Sequence, residues 1–153
     1  MRQSDRQQHR HADPAFIRTQ LNTSSVPASS TTDIGWTSPT YSVISLYLSS
    51  PSTIIMIPAI GTYLISGKIG FTTALTATCS LNFETYAATV WSVVLFCQMA
   101  TLGSGSDFQI SNFILTTTTT NTQCKLTFIN GLASTVNFQT SASTSFLNIT
   151  RIA

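Results

Sequence analysis

Residues 53–73, TIIMIPAIGTYLISGKIGFTT, decide how the rest of the chain is read. Ile54 to Ile57 is an apolar run too short for a helix. Pro58 ends it, because proline has no backbone donor and a fixed φ. Gly61 supplies the freedom of a turn. From Thr62 to Thr72 the residues alternate, with Tyr63, Ile65, Ile69 and Phe71 on one side and Thr62, Ser66, Lys68 and Thr72 on the other. That is the two-residue period of a half-buried strand. Leu64 breaks the alternation, and Gly67 and Gly70 mark a bulge or a close backbone approach. Two strands meeting at a tight corner are therefore expected here.

Strand signals continue on both sides of this corner. Residues 40–49 (TYSVISLYLS) are apolar on both faces, and 75–85 (LTATCSLNFET) keep Leu75, Ala77, Cys79, Leu81 and Phe83 in phase. Residues 88–98 (ATVWSVVLFCQ) are long enough for a helix, but their β-branched and aromatic content favours a strand. The glycine-serine stretch 99–106 reads as a loop. Residues 107–117 (DFQISNFILTT) change phase at Asn112, as one extra residue in a bulge would require. Residues 116–122 form a threonine-rich connection, and 123–129 alternate again. Asn130-Gly131 signals a tight turn into 132–140. A Ser/Thr loop then leads to 145–152 (SFLNITRI), a terminal strand expected to tie down the C-terminus. Seven or eight short strands without a helix indicate a sandwich, barrel or jelly roll.

The composition is as informative as the pattern. The chain has 153 residues, which suits one domain, and 42% are apolar, enough to build a core. Only 8% are charged, against about 25% in ordinary soluble domains. Residues 34–153 carry just Lys68, Glu84, Asp107, Lys125 and Arg151. Serine, threonine and asparagine must supply the wet surface, which lacks the repulsion that keeps monomers apart. Such a body is suited to packing against copies of itself. Cys79, Cys97 and Cys124 have no metal-binding spacing and sit in strand patterns, so they read as buried free thiols. The first residues show no secretory signal and no run is long enough to span a membrane, so synthesis in the cytosol and no membrane insertion are expected.

Residues 1–33 read as an irregular N-terminal arm, and 34–153 as the domain. No apolar periodicity runs through the arm. Phe16, Ile17 and Leu21 could bury against a partner and are its candidate attachment residues. Arg2, Arg6, Arg10 and Arg18, with His9 and His11, are candidates for polyanion contact. The net charge of 1–33 is only +1, four arginines against three aspartates, so nucleic acid is not the expected partner.

Two segments carry a family resemblance. IPAIGTYLISGKIGF (57–71) resembles the part of tumour-necrosis-factor-like jelly rolls, complement globular heads included, where proline and Gly-x-Tyr introduce an inner strand. SASTSFLNITRIA (141–153) resembles their closing strand, which follows a serine-rich loop; bacterial and phage proteins of this type often end in S-x-[FL]-x-I-x-[RK]-[IL]. The family's Gly-Asp before the penultimate strand is absent, and Asn130-Gly131 stands nearby instead. The resemblance covers roughly residues 40–153. It implies an all-β antiparallel jelly-roll sandwich of about eight strands, a compact homotrimer, and a role in recognition or structure without catalysis.

The residues themselves offer little for catalysis. His9 and His11 lie in the arm, and Glu84 and Asp107 read as exposed strand-end carboxylates, not as a paired acid and base. No phosphate loop, nucleophile elbow, HExxH or calcium loop occurs. No catalytic residue, metal site or cofactor is expected, and the glycosylation patterns at Asn22 and Asn148 are discounted without a secretory route. Tyr41, Tyr47, Tyr63, Phe71 and Trp91, in strand phase, read as core or trimer-interface residues. Trp36 precedes the first strand in a Gly/Ser/Pro context and is the candidate for a surface ligand contact.

The expected role is a non-enzymatic structural protein of a virion or extracellular surface appendage. It would be a trimeric head or decoration attached to other such proteins through its arm, with a glycan or host receptor as candidate ligand. The alternatives are a small-virus capsid subunit with a basic arm facing nucleic acid, and a free lectin-like or cytokine-like binding module.

Overall fold

A computed structural model describes residues 16–37, 41–42, 53–76, 78–99 and 101–153. These residues contain no helix. Their strands are β1 (Phe16–Gln20), β2 (Ser25–Val26), β3 (Thr31–Asp33), β4 (Tyr41–Ser42), β5 (Ile55–Ile57) and β6 (Gly61–Phe71). They continue with β7 (Ser80–Ala87), β8 (Val90–Gln98), β9 (Asp107–Thr117), β10 (Thr122–Ile129), β11 (Val136–Gln139) and β12 (Phe146–Arg151). Every pairing is antiparallel. A seven-stranded sheet runs β2-β11-β6-β12-β1-β4, with β9 also paired to β6. A five-stranded sheet runs β3-β10-β7-β8, with β5 also paired to β10. The architecture is an all-β sandwich.

The corner read at Pro58 is where the chain changes sheets. β5 belongs to the five-stranded sheet and β6 to the seven-stranded one. Proline cannot continue the β5 ladder, so the strand ends and the backbone turns. Three hydrogen bonds hold the corner. Tyr63 Oη donates to the Ala59 carbonyl at 2.8 Å, Thr117 Oγ1 donates to the same oxygen at 3.0 Å, and Gly61 N donates to Thr117 Oγ1 at 3.0 Å.

β6 then buries Tyr63, Ile65, Ile69 and Phe71, the side read as apolar. Its pairing with β9 slips between Ile65 and Gly67, whose partners are Phe113 and Ile110. Ser111 and Asn112 thus oppose Ser66 alone, which is the bulge that the phase change at Asn112 requires. Gly67 has no room for a side chain: a Cβ there would stand 2.6 Å from the Phe146 carbonyl oxygen. Aromatic rings join the two sheets. Phe71 and Phe138 of the seven-stranded sheet pack at 5.3 Å, and Phe128 of the other sheet lies 5.9 Å from Phe71 and 5.3 Å from Phe138. Farther along, Phe83 meets Phe113 edge-on at 5.1 Å.

The domain boundary expected at residue 33 is corrected. Residues 16–33 supply three strands: β1 lies between β12 and β4, β2 pairs with β11, and β3 pairs with β10. Polar side chains conceal these strands from a search for apolar periodicity. Thr19, for example, is buried but donates to the Thr37 carbonyl at 2.7 Å, so its hydroxyl is accommodated. Leu21, read as an attachment residue, is in the core.

Trp36 is corrected as well: it is fully buried, not on the surface. It bridges to Leu21, and Thr37 N donates to the Gln20 carbonyl at 2.9 Å, which straps the segment along the end of β1. Asn130-Gly131 is not a two-residue hairpin. β10 and β11 lie in different sheets, and buried Asn130 organises the crossing between them. Its Nδ2 donates to the carbonyls of Pro27 and Ser134 at 2.8 and 2.9 Å, while its Oδ1 accepts from Leu132 N at 2.9 Å. The strand expected from residue 75 begins at Ser80, and Leu75 makes an isolated bridge to Leu102.

Candidate interaction surfaces

Two outward faces remain once the core is assigned. On the seven-stranded sheet, register places Leu64 between Ile114 of β9 and Thr150 of β12. Ile114 is 65% exposed, and Ile60 and Ile152, just outside β6 and β12, are each 52% exposed. The next residues along the face are polar but uncharged. Ser66 opposes Asn148, and a shallow cleft of about 520 Å³ opens there beside the bulge, lined by Gln109, Asn112 and Phe146 among others. The Asn148 Oδ1 atom is buried and has no hydrogen-bond partner among the described residues. Charges at this end are engaged. Lys68 Nζ lies 2.6 Å from Asp107 Oδ2, and the Arg18 guanidinium stands 4.0 Å above the Phe146 ring while donating to the Ala142 carbonyl at 2.9 Å. Hydrogen bonding from Lys68 and from Gln109 holds the Asp107 carboxyl below the ordinary aspartate range.

The outward face of the five-stranded sheet has a different chemistry. Lys125 of β10 opposes Glu84 of β7, and Tyr86 of β7 opposes Trp91 of β8. Lys125 Nζ is 3.1 Å from each Asp33 carboxylate oxygen and 3.7 Å from Glu84 Oε2. It also stands 4.7 Å from the centroid of Trp91, whose ring meets that of Tyr86 at 5.1 Å. Glu84 is therefore neither exposed nor at a strand end, which corrects its reading from sequence; its side chain is 13% exposed. Asp107 does stand at a strand start.

The residues singled out from the sequence are scattered over these regions. Tyr63 and Phe71 are in the core, where burial pushes the Tyr63 phenol up against the opposing pull of Arg151. Trp91 is half-buried on the five-stranded face and Arg18 lies against Phe146. The backbones of Phe16 and Ile17 are in β1, and that of Tyr41 is in β4. Tyr47, Arg2, Arg6 and Arg10 lie outside the described residues. Ile114 and the Asp33–Lys125–Glu84 group were not singled out. Leu64 was the available signal for Ile114: each is an apolar residue on the polar side of its strand, and the two are register partners. The charged group had none, since its members are far apart in the chain. Among the described residues, no group of three or more His, Cys, Asp or Glu side chains comes together in a way that could hold a metal ion. No helix among them is long and apolar enough to cross a membrane.

The fold can be compared with known proteins on this basis. No protein-family model and no curated protein matches the sequence. Solved structures do match. Murine APRIL at pH 8.5 superposes with a TM-score of 0.70 at 13% identity, over 91% of this chain and 99% of that one. The structure of Eiger TNF from S. frugiperda has a TM-score of 0.65 at 17% identity, over 92% of this chain and 94% of that one. The chain has a tumour-necrosis-factor-like jelly-roll fold. In the described residues β1 and β12 are adjacent in the seven-stranded sheet. At these identities the likeness concerns the fold, and the residues on its two outward faces are this chain's own.

Proposed function

We propose that this TNF-like jelly roll acts without catalysis, as a self-associating structural and binding head whose copies join through the outward face of the seven-stranded sheet. The observation that carries this reading is the Leu64–Ile114 pair, set in a face whose nearby charges are already engaged. Exposed apolar side chains on a sheet face gain by leaving water, and this face imposes little charge desolvation. Three copies closing a ring is the assembly that the fold suggests, with an apolar interface above about 2,000 Å² as in obligate oligomers. Phe16 pairs with Thr150 of the C-terminal strand. Residues 1–15 are the attachment segment in this reading, and three copies of it in a closed ring would engage a virion or appendage together, so that weak contacts gain avidity.

Sedimentation velocity at micromolar concentration tests the assembly. A trimer is expected, and Ile114→Lys should shift it toward monomer while leaving the fold intact. A well-folded wild-type monomer would overturn the reading. Likeness to APRIL and Eiger TNF favours a second reading, a free cytokine-like binding module. Electron microscopy of native particles separates the two, since only the first places the protein on them.

A further inference from the structure

The face of the five-stranded sheet lies on the opposite layer from the proposed assembly surface, and its charges do not balance. Lys125 is one cation between two carboxylates, and Asp33 takes most of it: both Asp33 oxygens lie 3.1 Å from Nζ. Thr127 Oγ1 adds a hydrogen bond to Asp33 Oδ1 at 2.9 Å. Glu84 is left with Lys125 at 3.7 Å, beyond hydrogen-bond reach, and with no hydrogen bond among the described residues. Water reaches the Glu84 oxygens, so their acceptor sites are open to an incoming donor.

Its surroundings indicate what that donor is. Glu84, Tyr86 and Trp91 share one face, and the Lys125 ammonium already rests against the Trp91 ring, so this indole accepts a cation. The rim is apolar: Val93, opposite Glu84, is 52% exposed, and Phe96, opposite Asn82, is 60% exposed. A carboxylate, two touching aromatic rings and an apolar rim on rigid strands match the needs of a guanidinium. That group is planar, weakly hydrated, able to stack on aromatic rings and able to donate twice to one carboxylate. A saccharide could use the rings but would leave the charge of Glu84 uncompensated.

We propose that this face binds an arginine side chain of a protein partner, with the guanidinium on Glu84 and against Tyr86 and Trp91. The residues flanking that arginine would be apolar and cover Val93 and Phe96. Burial of the central aromatic residues, with an arginine supplied by the partner, is the pattern of an interface hot spot.

The test titrates the full-length, ¹⁵N-labelled protein with the blocked tripeptide acetyl-Leu-Arg-Leu-amide, its citrulline counterpart and methyl α-glucoside. The indole N–H signal of Trp91 is followed, and that of buried Trp36 reports on the fold. The arginine peptide should give a saturable shift at Trp91 and none at Trp36. Citrulline, which keeps the shape and loses the charge, should bind about tenfold more weakly, as expected for loss of one charge-assisted contact. Glu84→Gln should remove that preference. Should this variant fail to fold, Tyr86→Ser on the exposed side of the ring pair should weaken the arginine peptide in its place. Equal binding of the arginine and citrulline peptides, no saturable shift, or a response to the glucoside alone would each overturn the proposal. A monomer that binds the peptide would overturn the assembly reading and leave this one standing, whereas a trimer that ignores it would do the reverse.

Discussion

Phe71 and Lys68 are three residues apart on β6, and the two-residue period sends one into the core and the other out of it. Phe71 is fully buried against Phe128 and Phe138. Phe71→Ala should cost about 3–5 kcal/mol in urea unfolding, through lost burial and a residual cavity. Lys68→Ala should cost about 1 kcal/mol or less, because its partner Asp107 is 39% exposed and the ion pair is screened. Comparable costs at the two sites would contradict the register. The thiols supply a pH test at the same scale: Cys124 is buried, whereas Cys97, read from sequence as buried, is half-buried. Burial pushes the Cys124 thiol up to about 12 from an ordinary 9.0, and pushes Cys97 up as well. Between these limits the unfolded state has lost a proton that the folded state retains. The stability from Cys124 is therefore complete below about pH 9 and declines as pH rises toward 12. Cys124→Val should flatten the fall in stability above pH 9 relative to wild type.

The β7–β8 hairpin shows strain confined to one element. Its turn residues, Ala88 and Thr89, have φ of +50° and +70°. Both values lie in the left-handed region that a two-residue primed turn demands, and a β-branched residue is poorly suited to it. The strands on either side hold the turn through eight register pairs from Ser80–Gln98 to Ala87–Val90. Asn-Gly accepts this backbone at little cost, so the double change Ala88→Asn and Thr89→Gly should stabilise the protein by about 1–2 kcal/mol. Thermal melting measures it. An unchanged or lowered midpoint would mean that the turn is held for another reason.

At the scale of the whole molecule, residues 16–34 tie the two sheets together. β1 and β2 belong to the seven-stranded sheet and β3 to the five-stranded one, while Leu21, Val26 and Ile34 enter the shared core. Removing residues 1–33 should therefore abolish cooperative unfolding. Removing residues 1–15 should preserve the fold and, if they attach the head, prevent incorporation into its particle. Circular dichroism with thermal melting decides the first, and a particle-incorporation assay the second. A folded protein lacking residues 1–33 would show that the three strands contribute little.

The sequence by itself determined the local features of this protein. A proline and a glycine around an apolar run marked the change of sheet, alternation marked the buried side of β6, and the phase change at Asn112 marked the bulge. Each depends on near neighbours, where a period of two or a missing donor is visible. Leu64 was also legible as an exception, although its meaning required Ile114 beside it. Tertiary structure decided the rest. Thr19 and its neighbours form strands because other strands supply the hydrogen bonds and because buried hydroxyls find carbonyls, neither of which leaves an apolar pattern. Trp36 is buried because the chain around it is strapped to the end of β1, not because of its own polar context. Asp33, Glu84 and Lys125 meet only after three strands distant in sequence pair side by side, and that pairing leaves one lysine shared between two carboxylates.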